Sequence, residues 1–93
     1  MTTASDRRWF EAVAEIGYCV LCGHAGVQVA HRNQGKGMGL KTPAHMTAAL
    51  CRVCHESIDN GKGLSRAERR SLMDDAIVRT HDRLVSAGRL VLR

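Results

Sequence analysis

Four cysteines, arranged in two pairs, are the residues whose spacing is most specific for chemistry. Cys19 and Cys22 enclose two residues, Cys51 and Cys54 enclose two more, and the chain has no other cysteine. Two such pairs supply four thiolates, which close a tetrahedral zinc site and leave no position for water. The sequence therefore predicts a structural zinc ion. Two disulfides are the alternative for an exported chain.

Two histidines adjoin the segment between these pairs. His31 follows a short apolar stretch at 27–30 and precedes a polar, glycine-rich segment, and His55 directly follows Cys54. Imidazole serves as a base or a metal ligand near neutral pH. We expect the zinc to clamp the two ends of a unit that carries chemistry between them. The plainer alternatives are a strand-end His31 bonded to the backbone and a His55 that donates towards a zinc thiolate.

Length and charge limit the class of protein. Ninety-three residues with three aromatic side chains predict one domain, 1–93, whose thin core a bound zinc would stabilise. The formal charge is +5, and a zinc tetrathiolate would lower it by about 2 because four thiolates outweigh one divalent ion. The remaining positive charge suits an anionic partner such as a nucleic acid.

The first seventeen residues give no sign of a secretion signal. They contain charged side chains where a signal peptide has an apolar core, namely Asp6, Arg7, Arg8, Glu11 and Glu15. No apolar run approaches the length that crosses a bilayer. We therefore expect a soluble, cytoplasmic protein without a membrane partner, in which paired cysteines bind metal.

The apolar periodicity predicts helices at both ends and strands between them. A helix over about 5–16 has Trp9, Val13 and Ile16 on one face, and Gly17 would end it. Strands are predicted at 27–31 and 47–50, separated by a long loop at 32–45, and a helix at 52–59 follows the second cysteine pair.

A second long helix is predicted over about 66–87. Ser65 and Glu68 form a capping box at its start, and Gly88 would end it. Its apolar stripe is Met73, Ile77, Thr80 and Leu84, supported by Leu72 and Ala76, and we expect its arginines to lie mostly away from that stripe as a solvated face. Residues 89–92 would add a short strand.

The order of these elements resembles the HNH endonucleases, also called His-Me finger or ββα-metal nucleases. The residues that match are Cys19-x-x-Cys22, Val29-Ala30-His31 and Leu50-Cys51-x-x-Cys54-His55. The stretches 31–41 and 47–59 are more narrowly similar to small nucleases encoded by phages and prophages. The resemblance covers about 18–60. It implies an α+β fold, a zinc-stabilised ββα-metal domain with an N-terminal helix and a long C-terminal helix added.

The resemblance also implies roles for individual residues. His31 would be the general base that activates water to attack a phosphodiester, with Asn33 orienting it. His55 would bind a catalytic divalent ion, Mg²⁺, Mn²⁺ or Zn²⁺, that stabilises the leaving oxygen, and His45 would be a second ligand. Two positions depart from the family pattern: Ala30 stands where many relatives have an acid or a second histidine, and Pro43-Ala44-His45 stands where many have Asn or Asp.

The expected partner is DNA, with RNA left open. Arg32, Lys36 and Lys41 flank or lie within the glycine-rich loop and are candidates for phosphate contacts. Small nucleases of this kind often act with recombination or packaging proteins. The alternatives are a non-catalytic zinc module that binds nucleic acid, favoured by the basic charge and Ala30, and a zinc finger that binds proteins. The oligomeric state stays open.

Overall fold

The computed structural model describes residues 3–32, 43–61 and 63–89. In chain order the elements are α1 (Ala4–Ala14), β1 (Gln28–His31), β2 (Thr47–Leu50), α2 (Arg52–Asn60) and α3 (Arg66–Ser86). The protein is thus a small α+β molecule with three helices and one two-stranded antiparallel sheet, as the sequence predicts at that level. No helix in the described ranges is both long and apolar enough to cross a bilayer.

Helix α1 begins at a side-chain cap and ends in a tight turn. The Thr3 hydroxyl accepts a hydrogen bond from the Asp6 N–H at 3.0 Å, which satisfies one free donor of the first turn. The helix ends at Ala14, two residues before the predicted end, because the Ile16 N–H bonds to the Val13 carbonyl three residues back. Gly17 then reverses the chain with φ of +79°.

The sheet pairs β1 with β2 in a register that places His31 opposite Thr47 and Gln28 opposite Leu50. All four residues of β2 are buried because helices cover both of its faces. Consecutive side chains of a strand point to opposite faces. Accordingly Ala48 belongs to the core formed with α2 and α3, and Ala49 belongs to the core formed with α1.

The two cores use the apolar faces that the sequence predicts. The α1 core contains Val13 and the end of α3 at Leu84, with Trp9 and Ile16 packed against it. The other core contains Ile58 of α2 and the middle of α3. The buried residues of α3 are Met73, Ala76, Ile77, Thr80 and Leu84. Leu72, predicted to support this stripe, is 37 % exposed because it lies to one side of it.

Two buried threonines join the elements through satisfied hydrogen bonds. Thr80 Oγ1 donates to the Ala76 carbonyl at 2.8 Å and accepts from the Ala49 N–H at 3.1 Å, which attaches α3 to β2. Thr47 Oγ1 accepts from Trp9 Nε1 at 2.9 Å and attaches α1 to the same strand.

The capping box of α3 is present as predicted. The Ser65 hydroxyl accepts from the Glu68 N–H at 3.1 Å, and the Glu68 carboxylate accepts from the Ser65 N–H at 3.0 Å. Gly88 follows the helix with φ of +73°, as expected for a residue just past a C-terminus. The predicted long loop, apart from its ends, and the strand predicted at 89–92, apart from Arg89, lie outside the described residues.

Candidate metal centre and adjoining cavity

The two cysteine pairs come from local structures of different kinds. Cys19 begins a tight hairpin in which its N–H bonds to the His24 carbonyl at 2.9 Å and its carbonyl accepts from the Gly23 N–H at 2.8 Å. Cys51 is the N-cap of α2, and its Sγ accepts from the Cys54 N–H at 3.5 Å. One pair therefore lies in a turn and the other at a helix N-terminus, where partial positive charge favours thiolates.

The four sulfur atoms form one cluster. The Sγ atoms of Cys19, Cys22, Cys51 and Cys54 all lie within 4.8 Å of one another. All four cysteines are free, and Cys22 Sγ is 3.6 Å from Cys51 Sγ, too far for a disulfide. Tetrahedral zinc with bonds of about 2.3 Å would separate its sulfur ligands by roughly 3.8 Å. The cluster is therefore compatible with a structural zinc site.

The protonation chemistry of the cluster also favours a bound cation. Burial alone would raise the pKa of Cys19, but backbone hydrogen bonds at Cys51, Cys22 and Leu21 outweigh it and lower this pKa to about 6. The pKa of Cys54 is raised, first by burial and then by the neighbouring sulfurs. Sulfurs packed this closely cannot all be thiolates without a positive charge among them.

His31 lies at the end of β1, is exposed, and lines a cavity. Its ring meets the ring of Phe10 edge-on, with centroids 5.4 Å apart and planes at 70°. This contact with α1 restrains the imidazole from one side. The sequence prediction placed His31 at a strand end, and the structure agrees.

The cavity beside His31 has a volume of about 170 Å³, many times the roughly 10–15 Å³ that one water molecule needs. Helix α2 contributes Ile58 and Asp59, and α3 contributes Met73 and three arginines. These arginines are Arg66, Arg69 and Arg70. Among the residues that the structure describes, the cavity wall thus contains a candidate base, one acid and three cations.

His55 is held between two polar side chains. Its Nδ1 lies 2.8 Å from Gln28 Oε1 on β1, and its Nε2 lies 3.2 Å from Asp59 Oδ2, one turn further along α2. A carbonyl oxygen only accepts, so Nδ1 donates to Gln28. In a neutral imidazole Nε2 then has a free lone pair, which faces the carboxylate. Such a pair is stabilised by a proton or a metal cation between the two atoms.

The remaining histidine candidate lies elsewhere. His45 is exposed, and its carbonyl oxygen accepts from His81 Nε2 at 2.7 Å. Within 3–32, 43–61 and 63–89, the four cysteines are the only group of three or more potential ligand residues drawn together. His31, His45 and His55 therefore do not form a ready-made ligand set, and any ion at His55 would have Asp59 as its nearest protein partner.

The candidate phosphate contacts fall into two groups. Arg32 Nε lies 3.4 Å from Asp74 Oδ1, and the Arg32 N–H bonds to the Met46 carbonyl at 3.0 Å, so Arg32 connects the end of β1 to α3. Asn33, Lys36 and Lys41 lie outside the described residues.

Several residues of this region were missed or undervalued in the sequence. Gln28 gave no signal, since its contact with His55 depends on how β1 meets α2. Asp59 is a lone acid on a predicted helix, and its spacing of four residues from His55 is the one signal that places the two side chains together. The arginines of α3 are predicted to lie mostly away from its buried stripe as a solvated face, and none of them is buried, but Arg66, Arg69 and Arg70 also line the cavity. They extend the spacing of that stripe by two turns towards the N-terminus.

Comparisons of the chain with protein-family models, with curated proteins and with solved structures found no significant match. The metal centre and the cavity are therefore the features from which a function can be inferred.

Proposed function

We propose that this protein is a metal-dependent endonuclease of the HNH type, which hydrolyses phosphodiester bonds in DNA. The observation that carries the proposal is that Asp59 links the two histidines: it lines the cavity at whose edge His31 lies, and its carboxylate is 3.2 Å from His55 Nε2. The candidate base His31 thus shares a cavity with Asp59, and His55 contacts that cavity wall through the Asp59 carboxylate. Hydrolysis of a phosphate ester requires a base and a metal ligand close to one site.

In the proposed reaction His31 acts as the general base. Its imidazole accepts a proton from a water molecule while the water oxygen forms a bond to phosphorus. One ester P–O bond breaks, and the leaving oxygen takes a proton from solvent. A divalent ion held at His55 would stabilise the negative charge on that oxygen. The contact with Phe10 holds the imidazole ring beside the cavity.

His55 Nε2 and the Asp59 carboxylate are the groups that would hold the ion. Gln28 fixes the tautomer of His55 by accepting from Nδ1, which is the usual arrangement around a metal-bound histidine. Two protein ligands leave most of the coordination shell to water and to phosphate oxygens of the substrate. We therefore expect the ion to bind weakly alone and more tightly with DNA.

The four-cysteine cluster would hold a separate, structural zinc ion. Its second pair begins α2, and His55 is the next residue after Cys54. Its first pair is attached to β2 by the Val20 N–H, which bonds to the Ala49 carbonyl at 3.0 Å. A zinc ion there would fix the start of α2 against the sheet, and with it the position of His55 relative to β1.

A non-catalytic nucleic-acid-binding module is the second candidate. It is favoured by Ala30, which is fully buried and supplies no ligand beside His31, and by the scarcity of ligands around His55. One experiment on zinc-loaded protein distinguishes the nuclease from the binding module. The nuclease binds DNA and nicks it when Mg²⁺ or Mn²⁺ is added, whereas the module binds DNA with the same salt sensitivity and never cuts.

A further inference from the structure

The first two turns of α3 place cations where the rest of the helix has its buried stripe. Arg66, Arg69 and Arg70 are spaced by three and four residues, and Met73 continues the same face into the core. The same face packs against α2, and the arginines line the cavity near His31, where Arg69 is partly buried and Arg66 and Arg70 are exposed.

Arg69 donates one hydrogen bond to α2, and its Nε–H has no acceptor among the described residues. Its Nη1 donates to the Asp59 carbonyl at 2.9 Å, one of the last α2 carbonyls, which lack a partner within the helix. Its Nε is buried and has no hydrogen-bond partner among the described residues. A buried N–H of a guanidinium group without an acceptor is unfavourable. An acceptor bound in the cavity would satisfy it.

The charges around the cavity are unbalanced. Elsewhere on α3, Arg79 is paired with Asp75, its Nε 2.9 Å from the carboxylate. Within the described ranges neither Arg66 nor Arg70 forms a salt bridge, and Asp59 is the only acid in the cavity wall. Clustered cations repel one another, and a bound anion relieves this repulsion.

We propose that this cavity binds a backbone phosphate of a nucleic acid, with Arg69 and Arg70 as the residues that position it. Guanidinium groups bind phosphate oxygens through two parallel hydrogen bonds, and the volume of about 170 Å³ accommodates a phosphate group. The phosphate would lie against His31. That last placement rests on the proposed nuclease function, whereas the anion site itself does not.

The test measures binding of a short DNA duplex to zinc-loaded protein by fluorescence anisotropy, over a range of salt and without added divalent ions. We expect Arg70→Gln and Arg69→Gln to weaken binding at least about tenfold and to lower the salt slope by about 0.9 for each lost contact. Arg69→Lys should bind DNA with an affinity between those of the wild type and Arg69→Gln, because lysine keeps the positive charge but lacks the planar guanidinium group. Arg79→Gln is the control: it removes the same charge from the same helix, away from the cavity.

Arg70 makes no hydrogen bond to another element within the described part of the chain, so its variant stays informative if Arg69→Gln unfolds. Variants of Arg70 that bind DNA as Arg79→Gln does would overturn the site. Binding of inorganic phosphate without binding of the duplex would overturn its assignment to nucleic acid. Weakened binding in the Arg70 variant, together with a wild-type protein that never cuts, would support the site and refute the nuclease function alone.

Discussion

His55 Nε2 lies 3.2 Å from Asp59 Oδ2, while Nδ1 of the same ring donates to Gln28 at 2.8 Å. The two contacts together leave a lone pair of the neutral ring facing a carboxylate. A divalent cation bound at this point would take both atoms as ligands. Three residues from two elements thus define where we expect the catalytic ion.

Replacing Gln28 tests whether it orients a metal ligand. We expect Gln28→Leu to weaken activation by Mn²⁺ roughly 10- to 100-fold, because His55 loses the acceptor that fixes its tautomer. Activity at saturating Mn²⁺ should fall much less. Gln28→Glu keeps an acceptor and should retain activation. The measurement is the Mn²⁺ dependence of DNA nicking, and an unchanged dependence in Gln28→Leu would show that Gln28 does not orient a metal ligand.

Replacing Asp59 tests the second ligand. Asp59→Asn should weaken activation by Mn²⁺ because a neutral amide replaces a carboxylate. Glu56→Gln is the matched control, since Glu56 lies on the same helix but pairs with Arg52 on the surface at 3.1 Å. Titrating Mn²⁺ into each protein compares the two. Equal weakening of Mn²⁺ activation in both variants would mean that the net charge of the protein, and not a ligand at Asp59, sets the Mn²⁺ requirement.

Zinc should bind once per chain and be needed for folding. We expect metal analysis to find one zinc, and Cys22→Ser to lose both the zinc and the cooperative thermal transition. His24→Ala should keep both, because His24 borders the cluster without belonging to it. Acid should release the zinc, since protons compete for the sulfurs. A His24 variant that loses zinc would contradict the four-cysteine ligand set.

The start of α3 should depend on its capping box. Ser65→Ala should lower the free energy of unfolding by about 1 kcal/mol, whereas Ser71→Ala, within the same helix, should be neutral or slightly stabilising.

Hydrogen bonds from the Ser65 N–H and hydroxyl lower the pKa of Glu68 in the folded state. The contribution of Glu68 to the free energy of unfolding is therefore present above the pKa that Glu68 has in the unfolded chain, and it is lost as pH falls through the lower pKa of the folded protein. Urea unfolding of Glu68→Gln at neutral and acidic pH measures this difference.

The sequence predicted the features that depend on neighbouring residues. The cysteine pairs, the box at Ser65 and the stripe from Met73 to Leu84 are local patterns, and each is present. The contacts between elements were not predictable in this way. Gln28 meets His55 only because β1 packs against α2, and Arg69 meets Asp59 only because α3 packs against α2. The cavity is built from such contacts, so its arginines looked like surface charges in the sequence.

The most direct test is nicking of supercoiled plasmid DNA by zinc-loaded protein, with and without Mn²⁺, beside His31→Ala, His55→Ala and His24→Ala. We expect Mn²⁺-dependent nicking by the wild type and by His24→Ala, with a fall of about 10²- to 10⁴-fold in His31→Ala. His55→Ala should be inactive unless Mn²⁺ is raised far above the wild-type requirement. Undiminished nicking by folded His31→Ala would contradict the assignment of the base. Absence of nicking by wild-type protein that binds the plasmid would contradict the nuclease function.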